Sequence, residues 1–177
     1  MSTDRDVRDW LRRRGADRIA HPGGTLYAHL CRVGERLTVL GRGGEVRAAG
    51  LTHAAYGTDG FDLALLDRAD RAVLRDLVGP GAEELVHLYG ACDRSRSWRT
   101  LAETGQVVDR FTGQVRTPDP DRLRALVDLS IVNELDVIEQ DPGIAERHGV
   151  YFRDLFASWA PLASARVIDD ARRVLGS

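Results

Sequence analysis

Two histidines and one aspartate carry the chemistry that this 177-residue sequence offers most directly. His29 follows Leu26 and precedes Val33 and Leu40 at helical spacing, so its ring is expected on an inner face. His53 shares a stripe with Val46, Ala49 and Gly50. Asp128 lies one turn from Arg124 and Ile131 in a heavily apolar helix, where a carboxylate needs a partner or a metal because an unpaired buried charge is costly. Two imidazoles and one carboxylate from three helices form the mixed nitrogen and oxygen set of mononuclear iron and zinc sites, with positions left open for substrate. The same spacings suit plainer roles. A lone inward histidine also serves as a hydrogen-bonded core residue, and Asp128 can pair with Arg124 on a surface.

Further polar residues surround these three. His21, in the turn His21-Pro22-Gly23-Gly24, is a candidate fourth ligand or proton donor, and equally a turn residue whose ring caps a carbonyl. Tyr56 and Asp59 follow His53 closely and are candidates to bind substrate or donate a proton. Gly57-Thr58-Asp59-Gly60 otherwise reads as a helix stop and turn. Asp93 and Arg94 are a candidate substrate-facing pair or a structural salt bridge. Asn133 and Asp136 line either a cavity or a solvated face. His87 is expected to be exposed, and His148 to sit at a helix end. Cys31 and Cys92 read as small buried hydrophobes.

Helices must position these residues. The apolar periodicity predicts helices over Asp4–Arg14, from a Thr25 cap to Leu40, and over Glu45–Tyr56, Asp70–Val78 and Ala82–Tyr89. Three more are predicted over Asp121–Gln140, Val150–Trp159 and Leu162–Leu175, the first apolar enough to be central. Between Trp98 and Thr117 the character changes. Gln106–Asp109 and Gln114–Thr117 flank Phe111-Thr112-Gly113, which predicts a β-hairpin insert and a candidate lid. The expected class is all-α with that small insert, folded as one domain over residues 1–177.

Composition narrows the function. A formal charge of -2 lacks the basic surplus that nucleic-acid binding requires. No apolar run approaches a membrane span, and the charged N-terminus is unlike a signal peptide, so a cytoplasmic protein without membrane contact is expected. Two cysteines are too few for a disulfide framework. All 25 basic residues are arginine, which excludes Schiff-base chemistry and a lysine-dependent phosphate loop.

His29 within Thr-Leu-Tyr-Ala-His-Leu-Cys-Arg-Val, His53 ending Ala-Ala-Gly-Leu-Thr-His-Ala, and Asp128 within Leu-Val-Asp resemble the metal-binding motifs of the HD-domain superfamily, in order, over Leu26 to Asp136. That resemblance implies an HD-like helical bundle and a metal-dependent hydrolase or iron oxygenase. Ala54 stands where the family's central aspartate would follow His53, which removes the residue that bridges two metals. The expectation is therefore one divalent ion, Fe²⁺ ahead of Zn²⁺ or Mn²⁺, on His29, His53 and Asp128. His21, Tyr56 and Asp93 would be the catalytic groups. The expected activity is oxidation or rearrangement of a small-molecule substrate. One alternative is a phosphohydrolase of nucleotides or phosphoesters. The other is a metal-free acid–base enzyme or ligand-binding protein that uses the same pocket. The split C-terminal helices could also join a homodimer.

Overall fold

A computed structural model describes residues 3–176. Helix accounts for 69% of it and strand for only two short pairs, so the class is all-α with a small hairpin insert. The chain divides into two compact units, 1–90 and 91–177. No helix among the described residues is long and apolar enough to cross a membrane.

The first unit opens with α1 (Asp4–Arg13), which turns Val7, Trp10 and Leu11 into the core. Thr3 and Asp6 start it with reciprocal capping bonds, and Gly15, at φ +80, lets the chain leave it. A short antiparallel pair follows, β1 (Ala20–His21) and β2 (Gly24–Thr25), joined by Pro22-Gly23. Thr25 then caps α2 (Leu26–Val39) by accepting from the Ala28 amide at 3.2 Å. Helix α3 (Gly44–Thr52) packs closely on α2. Its expected reach to Tyr56 is cut short at Thr52, because the ring of His53 takes up the Gly50 carbonyl and the chain turns. Helices α4 (Arg71–Val78) and α5 (Pro80–Ala91) complete the unit on either side of Gly79.

Two glycines allow α2 and α3 to close. A Cβ on Gly34 would stand 2.8 Å from the Leu51 side chain, and a Cβ on Gly50 would overlap Leu37. A larger residue at either place would force the packed Leu51 or Leu37 side chain, or the helix backbones, to shift.

The second unit begins with two short helical turns, α6 (Arg94–Ser97) and α7 (Leu101–Thr104), so helix occupies part of the segment expected to be hairpin insert. The hairpin itself is β3 (Val107–Val108) and β4 (Val115–Arg116), with Val107 opposite Arg116. Buried Asp109 closes it, accepting from the Phe111 and Thr112 amides and from Arg116 at 2.9 Å. Burial alone would push the Asp109 pKa up. The two amides and the Arg116 charge together hold it below the usual carboxylate range.

Helix α8 (Pro120–Gln140) starts at an Asp119 cap, and residues 125–136 of it are all buried. Asn133 and Asp136 are thus inside rather than on a solvated face. Helix α9 (Pro142–Trp159) begins earlier than the apolar pattern suggests, because Asp141 caps it and Pro142 occupies its first turn. His148 consequently lies within this helix, exposed, and not at its end. Trp159 is fully buried and its indole N–H donates to the Trp98 carbonyl at 3.1 Å. Helix α10 (Ala165–Leu175) packs on α8 and α9.

Candidate functional site

The hairpin β1–β2 and helices α2 and α3 gather three histidines within the first unit. His29, in the first turns of α2, is 1% exposed, and His53, where α3 stops, is 2% exposed. Their Nε2 atoms lie 3.2 Å apart. His21, the last residue of β1, lays its ring on that of His29 with centroids 4.1 Å apart and planes 24° apart. Phe61 meets the His21 ring edge-on at 5.4 Å, and Tyr89 of α5 meets His53 edge-on at 5.3 Å.

Local chemistry explains each placement. His53 donates from Nδ1 to the Gly50 carbonyl at 2.8 Å. A carbonyl can only accept, so in the neutral ring Nδ1 carries the proton and Nε2 the lone pair. Arg32 of α2 reaches back to the carbonyls of Pro22 at 3.2 Å and Gly23 at 3.4 Å, so the helix that carries His29 also grips the turn next to His21. The close approach at Gly34 and Gly50 lets the ends of α2 and α3 bring the two inner imidazoles together.

This donor set fits a transition metal at two positions. Imidazole nitrogens about 2.0–2.1 Å from a shared ion, at tetrahedral or octahedral angles, lie about 2.8–3.4 Å from each other. The observed 3.2 Å falls inside that range. A ligating histidine typically anchors its other nitrogen on a carbonyl or carboxylate, as His53 does on Gly50. Among the described residues, no three His, Cys, Asp or Glu side chains already stand together as a metal-holding group. The flat His21–His29 stack is the physical reason that the third ring adds contact rather than a converging nitrogen.

The remaining candidates take other partners. Asp128, in the second unit, accepts from the backbone N–H of Ser164 at 2.8 Å and its hydroxyl at 2.7 Å, at the start of α10. Asp93 caps α6, accepting from Arg96 N at 3.0 Å and from the Ser95 hydroxyl at 2.8 Å. Arg94 pairs with Glu134 at 2.8 Å rather than with Asp93. Asp59 is half-buried in the turn that follows Tyr56, where the Thr58 and Phe61 backbones bond to each other. Both cysteines are buried.

Tyr56 belongs to a second buried cluster. Its hydroxyl donates to Glu83 at 2.8 Å, and the same carboxylate takes a bidentate pair from Arg71, both bonds 2.7 Å, and a weaker one from Arg75 at 3.3 Å. Burial, then the hydrogen bond to Glu83 and the Glu83 charge, push the Tyr56 phenol well above its ordinary pKa, so it stays protonated at neutral pH. Burial acts upward on Glu83 as well, but the bonds from Arg71 and Tyr56 outweigh it and leave the carboxyl below the usual range. His87, expected to be exposed, is half-buried with its ring 6.0 Å from that of Tyr56.

Glu83 was missed in the sequence, although the reasoning that singled out Asp128 would have found it. It sits one turn before buried Val86 on an apolar helix, and it is fully buried. Tyr89 and Phe61 carried no such signal, since an aromatic among apolar neighbours reads as core.

A family model described as Domain of unknown function (DUF6817) matches residues 10–94. That span holds His21, His29, His53, Tyr56, Glu83 and Tyr89, and ends before Asp128. No curated protein and no solved structure matches the chain.

Proposed function

We propose that the protein is a small-molecule enzyme, acting in the cytoplasm, whose centre is one divalent transition metal ion held by His29 and His53. The observation that carries this reading is the 3.2 Å separation of their Nε2 atoms, with Nδ1 of His53 already anchored on Gly50. When bound, the ion would supply Lewis-acid or redox chemistry for oxidation or rearrangement of a metabolite. The protein's own contribution is a closed, largely aromatic setting. Both rings are almost wholly buried; His21 stacks on His29, with Phe61 behind it, and Tyr89 meets His53 edge-on. Such surroundings favour a compact, partly apolar substrate over a long polymer.

A metal-free reading has its own support in the same contact. With the His53 tautomer set by Gly50, a proton on His29 Nε2 can be shared with His53 Nε2 as a hydrogen bond. Such a pair can store and return a proton in acid–base catalysis.

Metal content separates the two readings. Protein purified without an affinity tag is expected to carry, or take up, about one iron, zinc or manganese per chain by plasma mass spectrometry. His29→Ala and His53→Ala should each abolish that uptake while the far-ultraviolet dichroism remains helical. Wild-type protein that refuses all three metals would leave the acid–base pair as the working reading. Phosphate release from nucleotides by the loaded protein would move the reaction class to hydrolysis.

A further inference from the structure

We infer that His21 supplies the third imidazole of the centre, so that the ion is held by His21, His29 and His53, all within the first unit. The inference rests on the metal reading above and names its ligand set. Two protein ligands are fewer than the three that metal enzymes of this kind commonly use. The side chain best placed to add a third is already in contact with His29, ring on ring at 4.1 Å.

The surroundings of His21 are built to keep it there. Its partner across the hairpin is Gly24, and Gly24 leads through the capping residue Thr25 into α2. Gly23 at φ +77 and Gly24 at φ +127 hold backbone conformations that side-chain-bearing residues rarely adopt, so the turn has little freedom to be anything else. Arg32 clamps the Pro22 and Gly23 carbonyls from one turn beyond His29. Hairpin and helix are therefore tied to each other, and the backbone from His21 to His29 belongs to a single local structure.

His21 also differs from the other two in burial. It is half-buried, whereas His29 and His53 are closed off. Its ring touches Phe61 as well as His29, so a small turn of the ring within these contacts is what would aim its nitrogen at the ion. The stack is then the resting arrangement, and a bound ion draws the third nitrogen in.

Two variants test the assignment. His21→Ala removes the ring, and His21→Phe keeps a stacking ring without a nitrogen. Untagged wild-type protein is titrated with Zn²⁺ against a chromophoric chelator, and separately with Cu²⁺, whose paramagnetic resonance counts bound imidazole nitrogens. Three nitrogens are expected in the wild type and two in both variants. Zn²⁺ binding should weaken in both by more than the roughly 10–100-fold that loss of a contact behind a ligand costs. If His21→Phe binds Zn²⁺ as tightly as the wild type with an unchanged nitrogen count, His21 is only a covering ring and the assignment is overturned. If the wild type takes up no metal, the metal reading itself falls and this one with it. A wild type that binds metal through two nitrogens overturns this inference alone.

Discussion

At the scale of single residues, the protein invests buried charge in two places where sequence reading expected little. Glu83 is fully buried and answered by Tyr56, Arg71 and Arg75. Because its pKa in the folded state lies below its unfolded value, the stabilisation it provides is complete above the ordinary glutamate range, about 4.3. It is lost as pH falls through the folded value. Urea midpoints followed from pH 6 downwards should therefore fall more steeply for the wild type than for Glu83→Gln. Asp109 is depressed in the same direction, so some acid sensitivity should persist in that variant. Tyr56→Phe deletes one hydrogen bond to a charged acceptor and should cost about 1.5–3 kcal/mol in equilibrium unfolding. Its metal content should be unchanged, since the hydroxyl faces Glu83. The inward histidines were legible because helical spacing places them among leucines and valines. The cluster around Glu83 was not, because an ion pair gathered from Arg71, Arg75 and Tyr56 depends on how two helices meet, which no local pattern records.

At the scale of elements, the meeting of α2 and α3 decides whether His29 and His53 can meet at all. Gly34 and Gly50 keep that crossing close. Gly34→Ala gains roughly 1 kcal/mol of helix propensity, but the added methyl would stand 2.8 Å from Leu51. Overpacking of this kind costs about 1–3 kcal/mol. The expected outcome is a net loss of stability in denaturant unfolding, together with weaker metal uptake as the imidazoles are pushed apart. Most helices were legible in the sequence, including the cap at Thr25. The differences fall at ends, where a side chain competes with the helix or starts it. The His53 ring stops α3 early, and Asp141 with Pro142 starts α9 early. The two-residue strands β1 and β2 were read as a turn only, since strands that short carry no alternation to detect.

At the scale of the whole molecule, the histidine cluster belongs to the unit 1–90 alone. Zn²⁺ present at about 100 times its dissociation constant should stabilise the folded state by about 2.7 kcal/mol. Hydrogen exchange is expected to slow across β1–β2, α2 and α3, and to remain unchanged in α10. Uniform slowing over both units would contradict a centre confined to the first. The composition was a sound guide to the helical class, and it could say nothing of this division into units. One consequence follows for the order in which the molecule is made. The two histidines whose nitrogens meet are separated by only 24 residues along the chain, and His21 joins them through the hairpin next door. Closing so short a loop sacrifices little chain entropy, and contacts between near neighbours in sequence form early. The three histidines would thus be grouped while the ribosome is still supplying the helices of the second unit, so on the proposed metal reading an ion could be captured by a chain only half made.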